Sequence, residues 1–185
     1  YKIIFCLKII LLMKISKEPE ELQLLKDKLI SKLISNLHID QVDKISERFK
    51  RNAAKFLRSN LLYSIRQHVD LNHLVYVVTA SSELAVNKLL EGYGVEVVGT
   101  QFEEKHCRLT GHLIRDGCYG SSKVNEFLLR VKGTHYVDFE IIECWSDSIS
   151  DWHLMRLAKK RYWVNSAGDE SAIRKLDPSG ILLRL

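Results

Sequence analysis

The stretch Leu74-Val75-Tyr76-Val77-Val78, followed directly by Thr79-Ala80-Ser81-Ser82, decides how this sequence folds. Its first five residues form a continuous apolar run rich in valine, which is typical of a parallel strand buried on both faces. Ser81 or Ser82 can cap a helix that starts here, and Gly94 can end it. The stretch therefore predicts a strand followed by a helix, the repeating unit of an α/β fold.

Strand and helix patterns continue to alternate after this unit. The sequence predicts strands over 95–98, 137–144 and 162–164, helices over 122–131 and 150–159, and a β-hairpin over 100–118 with turns at Gly111 and Gly117. This alternation indicates a parallel sheet with helices on both of its faces.

Residues 17–68, in contrast, have helical periodicity throughout. Apolar residues recur at helical spacing on both sides of a break near residues 36–40, and they are Leu22, Leu25, Leu29 and Leu33, then Val42, Ile45, Phe49, Ala53 and Phe56. We therefore predict an apolar and helical part over residues 1–72 and an α/β part over residues 73–185.

The composition is that of an ordinary globular protein. The chain has 185 residues, 46% of them hydrophobic, with 28 Lys and Arg against 23 Asp and Glu. These values exclude disordered, collagen-like and disulfide-stapled classes, and the mild positive charge does not indicate a nucleic-acid partner. Segment 41–60 carries six basic residues and two acids, which fits either a solvated helix face or a surface for an anionic partner.

The four cysteines are scattered with no Cys-x-x-Cys pair, which favours a reducing, cytoplasmic location. The loose group His106, Cys107, His112 and Cys118 matches no common zinc pattern.

The apolar run Ile3–Met13 is too short to span a bilayer. With its flanking lysines, it fits an interfacial anchor, a signal-like segment, the end of a longer hydrophobic segment or a core helix, and we expect membrane-surface contact through residues 1–16.

Polar residues collect where the predicted strands end. Ligands of open α/β sheets bind at these ends, where helix N-termini favour anions. The candidate residues are Thr79, Ala80 and Ser81 after the first strand, Lys123 at a helix start, and Asp147 and Asp151 after the strand over 137–144. Carboxylates suit Mg²⁺ and a lysine suits phosphate. Taken singly, each residue also has a structural role: Thr79 fits a helix cap, the two aspartates fit acids that interact with a helix dipole, and Lys123 fits a surface lysine. Together they favour phosphate chemistry.

Four ordered segments carry a specific resemblance. They are Val77-Val78-Thr79-Ala80-Ser81, Leu109-Thr110-Gly111, Cys118-Tyr119-Gly120-Ser121-Ser122-Lys123-Val124, and Ser146-Asp147-Ser148-Ile149-Ser150-Asp151 with Val164-Asn165. This set resembles the haloacid dehalogenase superfamily, and more narrowly its phosphoserine-phosphatase-like and phosphatidylglycerophosphatase C-like branch. The resemblance covers residues 73–165 and implies a Rossmann-like parallel sheet with a helical cap.

The resemblance also implies an activity and a role for each residue. The implied reaction is hydrolysis of a phosphomonoester through an aspartyl-phosphate, with Mg²⁺ as cofactor. Thr79, with Ala80 and Ser81, would bind the phosphoryl oxygens, and Lys123 would offset the charge of the phosphorylated intermediate. Asp147 would ligate Mg²⁺, and Asp151 would help to hold the ion and would orient the lysine.

One motif of the family is missing. Its nucleophile and its general acid/base are the aspartates of an Asp-x-Asp-x-Thr motif on the first strand, and no Asp-x-Asp occurs in this sequence. We therefore expect the chain as given to be inactive. Because Tyr1 is not an initiator, we expect a fragment that lacks about 30 residues, a length set by typical strand and loop sizes. The alternatives are a noncatalytic phosphate-binding pseudoenzyme and a helical interaction module.

Absence of that strand has a structural consequence. The family sheet places it between the strands over 74–78 and 137–144, so we expect two apolar strands beside a gap. Marginal stability would follow, or pairing of Tyr1–Leu7 in the gap. The expected partner is a phosphorylated small molecule or a lipid headgroup. The apolar, lysine-flanked start and the basic helical part favour the lipid, and a small soluble metabolite such as phosphoserine fits nearly as well.

Overall fold

The computed structural model describes residues 19–133, 138–164 and 170–184. Helices come first along the chain, and they are α1 (Pro19–Ile34), α2 (Ile39–Ala53), a 3-10 turn (Ala54–Phe56) and α3 (Ser59–Asp70). Strands and helices then alternate, as β1 (Tyr76–Ser82), α4 (Glu83–Leu89), β2 (Glu96–Thr100), β3 (Phe102–Lys105), β4 (Arg108–Leu113), α5 (Ser122–Lys132), β5 (Ile141–Ser146), a 3-10 turn (Ile149–Asp151), α6 (Trp152–Met155), β6 (Ala158–Val164), α7 (Glu170–Leu176) and β7 (Ile181–Leu183). This order confirms the predicted α/β class with its helical elements.

The strands of the α/β part pair in parallel. Strand β1 pairs with β2, and β5, β6 and β7 form a three-stranded sheet in that order. Strands β3 and β4 form a separate antiparallel hairpin. The parallel pairs place the carboxyl ends of their strands on one edge, which is where the candidate site residues lie.

Helix α5 packs on both parallel sheets. Its Phe127 and Val131 share one apolar cluster with residues of β1 and of β5, among them Val78 and Cys144. Within the described part of the chain, the backbone of β1 pairs only with β2, and that of β5 only with β6. The side-chain layer under α5 therefore joins the two sheets. The segments Tyr1–Leu7 and 1–16, for which we predicted pairing and membrane contact, lie outside the described residues.

The hairpin packs against the N-terminal helices. Three backbone hydrogen bonds join it to the α1–α2 connection, from Asn36 N to Leu109 O, from Leu109 N to Leu37 O and from Ile39 N to Cys107 O. Leu109 is buried in the same cluster as Val42 of α2. The division at residues 72 and 73 stays a prediction, but a hairpin from beyond that boundary completes the core of the helical part.

The turn of the hairpin differs from our prediction. It lies at His106 and Cys107, which both have positive φ, whereas Gly111 lies inside β4. A Cβ atom at Gly111 would stand 2.6 Å from the Ser31 carbonyl oxygen of α1. Glycine is therefore required there for the close approach of β4 to α1 and for its positive φ, not for a chain reversal.

Two predicted helices are shorter than expected. Helix α4 ends at Leu89 instead of Gly94, and the helix expected over 150–159 is reduced to a 3-10 turn and the single turn Trp152–Met155. The second prediction failed because Ala158 already pairs with Ile141 of β5. The strand predicted over 137–144 runs from Ile141 to Ser146, and Val137 lies outside the described residues.

A buried hydrophobic cluster around Trp163 anchors the C-terminal part. Trp163 of β6, Met155 and Ile173 are almost completely buried. The buried carboxylate of Asp177 accepts hydrogen bonds from the Trp163 indole and from both Nε and Nη2 of Arg161. The sequence analysis predicted neither α7 nor β7, which complete this cluster and its sheet.

Candidate functional site

The end of β1 forms a hydrogen-bonded turn that contains Thr79, Ala80 and Ser81. The register between β1 and β2 is irregular here, and Thr79 Oγ1 accepts a hydrogen bond from Ser81 N at 3.1 Å. Ala80 O accepts one from the Thr100 hydroxyl at 3.0 Å. Because a hydroxyl both accepts and donates, Thr79 can still donate its own hydrogen to an anion.

Lys123 and Asp151 form a largely buried ion pair. Lys123 lies in the first turn of α5, and its Nζ is 2.5 Å from Asp151 Oδ1. Their side chains are only 9% and 16% exposed. The second carboxylate oxygen of Asp151 accepts a hydrogen bond from Ser146 Oγ at 2.7 Å. The ion pair therefore joins the start of α5 to the carboxyl end of β5.

A serine-rich turn shapes the loop that follows β5. Ser146 Oγ accepts a hydrogen bond from Ser148 N at 3.1 Å, and Ser148 Oγ accepts one from Ser150 N at 3.3 Å. Asp147 is exposed between them. No ion pair or hydrogen bond between described residues joins Asp147 or Thr79 to Lys123, so the structure brings together Lys123 and Asp151 and leaves the other two as separate neighbours of the sheet edge.

Thr100, which the sequence analysis missed, connects the β1 turn to the loop before α5. Its hydroxyl donates to Ala80 O and accepts from Cys118 N at 3.2 Å, and its exposed fraction is 2%. Cys118 precedes Lys123 by five residues. The only sequence signal was a hydroxyl residue at the end of the short strand Glu96–Thr100. The signal was weak because the partners of Thr100 are distant in the chain.

Glu83 is a second residue that the sequence analysis missed. Its Oε1 accepts hydrogen bonds from Arg130 Nη2 at 2.7 Å and from Gln101 Nε2 at 2.9 Å, and its Oε2 accepts one from Gly99 N at 2.9 Å. Arg130 lies two turns beyond Lys123 on α5. Glu83 therefore holds the helix that follows the β1 turn against the helix that carries the lysine.

The two described cysteines nearest these residues are not suited to nucleophilic chemistry. Burial raises the pKa of the Cys118 thiol to about 11. Burial, together with the nearby Asp151 carboxylate, raises the pKa of Cys144 to about 11 as well. Both thiols are therefore protonated at neutral pH, and the thiolate is the reactive form.

The donor set fits Mg²⁺ better than zinc. Asp147 is an exposed carboxylate, whereas both oxygens of Asp151 already have partners. Mg²⁺ needs only one or two carboxylates when water and phosphate oxygens complete its octahedron. Across residues 19–133, 138–164 and 170–184, no group of three or more His, Cys, Asp or Glu is arranged to hold a metal ion. A separate finding concerns membranes: no described helix has the length and apolar character needed to cross a bilayer.

Comparisons with known proteins agree with this architecture. The structure of a protein of unknown function from Bordetella pertussis Tohama I superimposes with a TM-score of 0.72 and 19% identity, covering 90% of this chain and 74% of the other. Cytosolic 5'-nucleotidase IIIB bound to cytidine superimposes with a TM-score of 0.65 and 15% identity, covering 97% of this chain and 65% of the nucleotidase. This chain therefore spans slightly less than two thirds of the nucleotidase.

A substrate-bound phosphoserine phosphatase superimposes with a TM-score of 0.50 and 19% identity, covering 87% of this chain and 71% of the phosphatase. No curated protein sequence gives a significant match. At these identities the structural likenesses establish the fold alone. A family model for haloacid dehalogenase-like hydrolases, however, matches residues 9–156, most of the chain, and the chain therefore belongs to the haloacid dehalogenase-like hydrolase family.

Proposed function

We propose that this chain carries the phosphate-binding half of a Mg²⁺-dependent phosphomonoester hydrolase. The observation that supports the proposal most directly is the buried pair of Lys123 and Asp151, since its ammonium group lies at the N-terminus of α5, where anions are favoured. A lysine that served only solubility would extend into solvent. The phosphatase and nucleotidase folds named above are compatible with this class of substrate.

Each residue has a distinct part in the proposed site. The Thr79 hydroxyl donates to a phosphoryl oxygen, and the turn through Ala80 and Ser81 contributes the backbone beside it. Lys123 offsets negative charge on the phosphoryl group, and Asp151 holds the ammonium in position. When bound, Mg²⁺ neutralises charge on the phosphate oxygens as a Lewis acid, and Asp147 is the carboxylate that would hold it.

The sequence supplies no Asp-x-Asp pair, so we propose that these 185 residues bind a phosphomonoester without rapid hydrolysis. The nucleophile would have to come from a strand beside β1 and β5, because a phosphoryl group bound by Thr79 and Lys123 lies at the ends of those strands. The substrate class is a phosphomonoester of a small metabolite or of a lipid headgroup.

Titration calorimetry with inorganic phosphate tests the binding half of the proposal. We expect binding that Mg²⁺ strengthens, that Lys123→Met abolishes, and that the matched change Lys132→Met on the exposed end of α5 leaves unaltered. Equal affinity in the parent and in Lys123→Met would refute the site.

A second experiment tests the catalytic half. A strand bearing Asp-x-Asp is fused ahead of Tyr1, and hydrolysis of p-nitrophenyl phosphate is measured with Mg²⁺ and with EDTA. We expect Mg²⁺-dependent turnover that is lost when the first aspartate is changed to Asn. A fusion that folds and binds phosphate but does not turn over with Mg²⁺ would favour the noncatalytic alternative.

A further inference from the structure

Helix α2 and the turn after it expose a ridge of large apolar side chains. Ile45, Phe49 and Phe56 are 56%, 42% and 76% exposed, and the spacing of four between Ile45 and Phe49 places them on one side of the helix. The buried residues Val42 and Ser46 lie on the neighbouring side of the helix, each three positions before a member of the ridge. The ridge is therefore the outer border of the stripe that faces the core, and its large exposed fraction requires a separate explanation.

Two of the three acids of α2 are paired with the neighbouring helix α4, whereas the third, Asp40, lies in the first turn 3.3 Å from His38. Lys88 Nζ lies 3.3 Å from Asp43 Oδ1 and 2.9 Å from Glu47 Oε1, and these carboxylates raise the pKa of Lys88. Lys50 in turn lies 2.9 Å from Glu91. Both acids that segment 41–60 contains are thus turned toward α4 and away from the ridge.

The basic residues beside the ridge have no such compensation. Lys44, Arg48 and Arg51 are exposed, and none of them forms an ion pair with another described residue. Their spacing of four and three places them in one row along the helix, adjacent to Ile45 on the side away from α4. Lys55 continues the row and lies 5.1 Å from the centre of the Phe56 ring.

We propose that this surface, the α2 docking face, lies on an anionic lipid bilayer. Its members are Lys44, Ile45, Arg48, Phe49, Arg51, Lys55 and Phe56. A helix with apolar side chains beside a basic row binds in the interface, because the apolar side chains enter the acyl boundary while the cations stay at the headgroups. Each basic residue adds attraction to anionic lipid. A nucleic-acid duplex would match the basic row but leave the apolar ridge exposed to water.

The proposal does not depend on phosphate chemistry and is tested by vesicle sedimentation of the full chain. The vesicles are phosphatidylcholine alone or phosphatidylcholine with one-third phosphatidylglycerol, at low and at high salt. We expect binding to the anionic vesicles that high salt weakens. The variants Ile45→Ser/Phe49→Ser and Lys44→Gln/Arg48→Gln/Arg51→Gln should each lower the partition coefficient at least about tenfold.

The matched control is Lys132→Gln/Lys159→Gln/Lys175→Gln, which removes the same charge from exposed positions on α5, β6 and α7. It should bind vesicles more tightly than the α2 charge variant, and circular dichroism should show that all variants keep the parental fold. Three outcomes would each overturn the proposal. They are equal losses of binding in the control and in the α2 charge variant, equal binding of the parent to both kinds of vesicle, and unchanged binding by both α2 variants. Binding to a single-stranded oligonucleotide without binding to vesicles would overturn it too.

Phosphate affinity is measured on the same variants. It should be unchanged, since none of the altered residues contacts Thr79, Lys123 or Asp151. Loss of vesicle binding with intact phosphate binding, or the reverse, therefore separates the docking proposal from the proposed function.

Discussion

Lys123 Nζ lies 2.5 Å from Asp151 Oδ1, and this contact links the first turn of α5 to the loop that follows β5. The aliphatic part of the lysine is buried with the carboxylate, so only 9% of its side chain is exposed. Loss of one member of such a pair leaves the other as a poorly solvated charge, which costs more than the pair contributes when intact.

The first prediction is a nonadditive mutant cycle at this pair. Lys123→Met and Asp151→Leu should each lower the free energy of unfolding by about 2 to 4 kcal/mol. The double variant should lose clearly less than the sum, because it removes both charges together. Urea denaturation measures all four proteins. Phosphate binding should stay lost in the double variant, and additive losses of stability would contradict the interpretation of the contact as a coupled pair.

The second prediction concerns Asp177, whose side chain is 1% exposed. Asp177→Asn should lower the free energy of unfolding by about 2 to 4 kcal/mol, because Arg161 loses a charged partner inside the fold. The control Glu170→Gln breaks an exposed pair with Arg174 and should cost at most about 0.5 kcal/mol. Thermal or urea unfolding at neutral pH compares the two variants.

Asp177 also gives a prediction for the acid limb of stability. The Arg161 guanidinium, assisted by the Trp163 indole and Ser179, holds the pKa of Asp177 below its ordinary value of 3.8. As pH falls, the unfolded chain therefore takes up this proton at a higher pH than the folded protein does. The contribution of Asp177 to the free energy of unfolding is complete above about pH 4, and it is lost as pH falls through the lower pKa of the folded state. The difference in the free energy of unfolding between the parent and Asp177→Asn should shrink below pH 4. A difference that stays constant with pH would contradict the lowered pKa of Asp177.

Gly180 provides a steric prediction. A Cβ atom there would lie 2.5 Å from Asp177 Oδ2 and 2.7 Å from the Trp163 ring. Gly180→Ala should therefore destabilise the protein by about 1 to 3 kcal/mol, the usual cost of overpacking. In Gly133→Ala the added atom would meet, among the described residues, carbonyl oxygens at 3.4 Å and beyond, so its midpoint in urea should stay close to that of the parent.

Asp27 of α1 is expected to reduce stability at neutral pH. It is 6% exposed, its Oδ1 accepts a hydrogen bond from Gln23, and burial raises its pKa above 3.8. The folded state therefore binds the proton more tightly than the unfolded state does. The loss of stability caused by the buried carboxylate appears as pH rises through and above the ordinary pKa of 3.8. Asp27→Asn should be more stable than the parent at pH 7, by about 1 kcal/mol, and the advantage should vanish near pH 3.

Thiol labelling tests the burial of the cysteines. Cys107 is exposed, whereas Cys118 is buried and Cys144 is partly buried. At pH 8 the thiols with a pKa of about 11 are protonated and shielded, so iodoacetamide should modify Cys107 before Cys118 and Cys144. Mass spectrometry of individual peptides gives each rate. Urea should abolish the differences, and fast labelling of Cys118 in the folded protein would argue against its buried position.

The alternation of elements from residue 73 onward was predictable because local pattern and tertiary structure agree there. The valine run gave β1, and the amphipathic segment after Ser121 gave α5 within one residue of its observed end. The prediction of secondary structure failed where the pairing of strands outweighs the local sequence pattern, at the start of β6 and at β7. The residues of β6 begin with Ala158 and two lysines, which also suit a helix end, and β7 has only three residues.

For the candidate site, the structure contains a contact between two of the predicted residues, Lys123 and Asp151, whereas the roles of Thr79 and Asp147 stay predictions. The four ordered segments carried the resemblance because they follow recognisable strands. Thr100 and Glu83 were not recognisable, since their importance lies in hydrogen bonds to residues that are distant in sequence. Asn165, which contributed to the resemblance, lies outside the described residues.

The hairpin that joins the helical part has a consequence for access to the sheet edge. Because three main-chain hydrogen bonds fasten Leu109 and Cys107 to the α1–α2 connection, those helices cannot swing away from the hairpin as a freely hinged lid. A displacement of α1 and α2 that keeps these hydrogen bonds would carry β3 and β4 along, and β4 leads into the loop before Lys123. We therefore expect such a displacement of the helices to be transmitted through the hairpin toward the lysine.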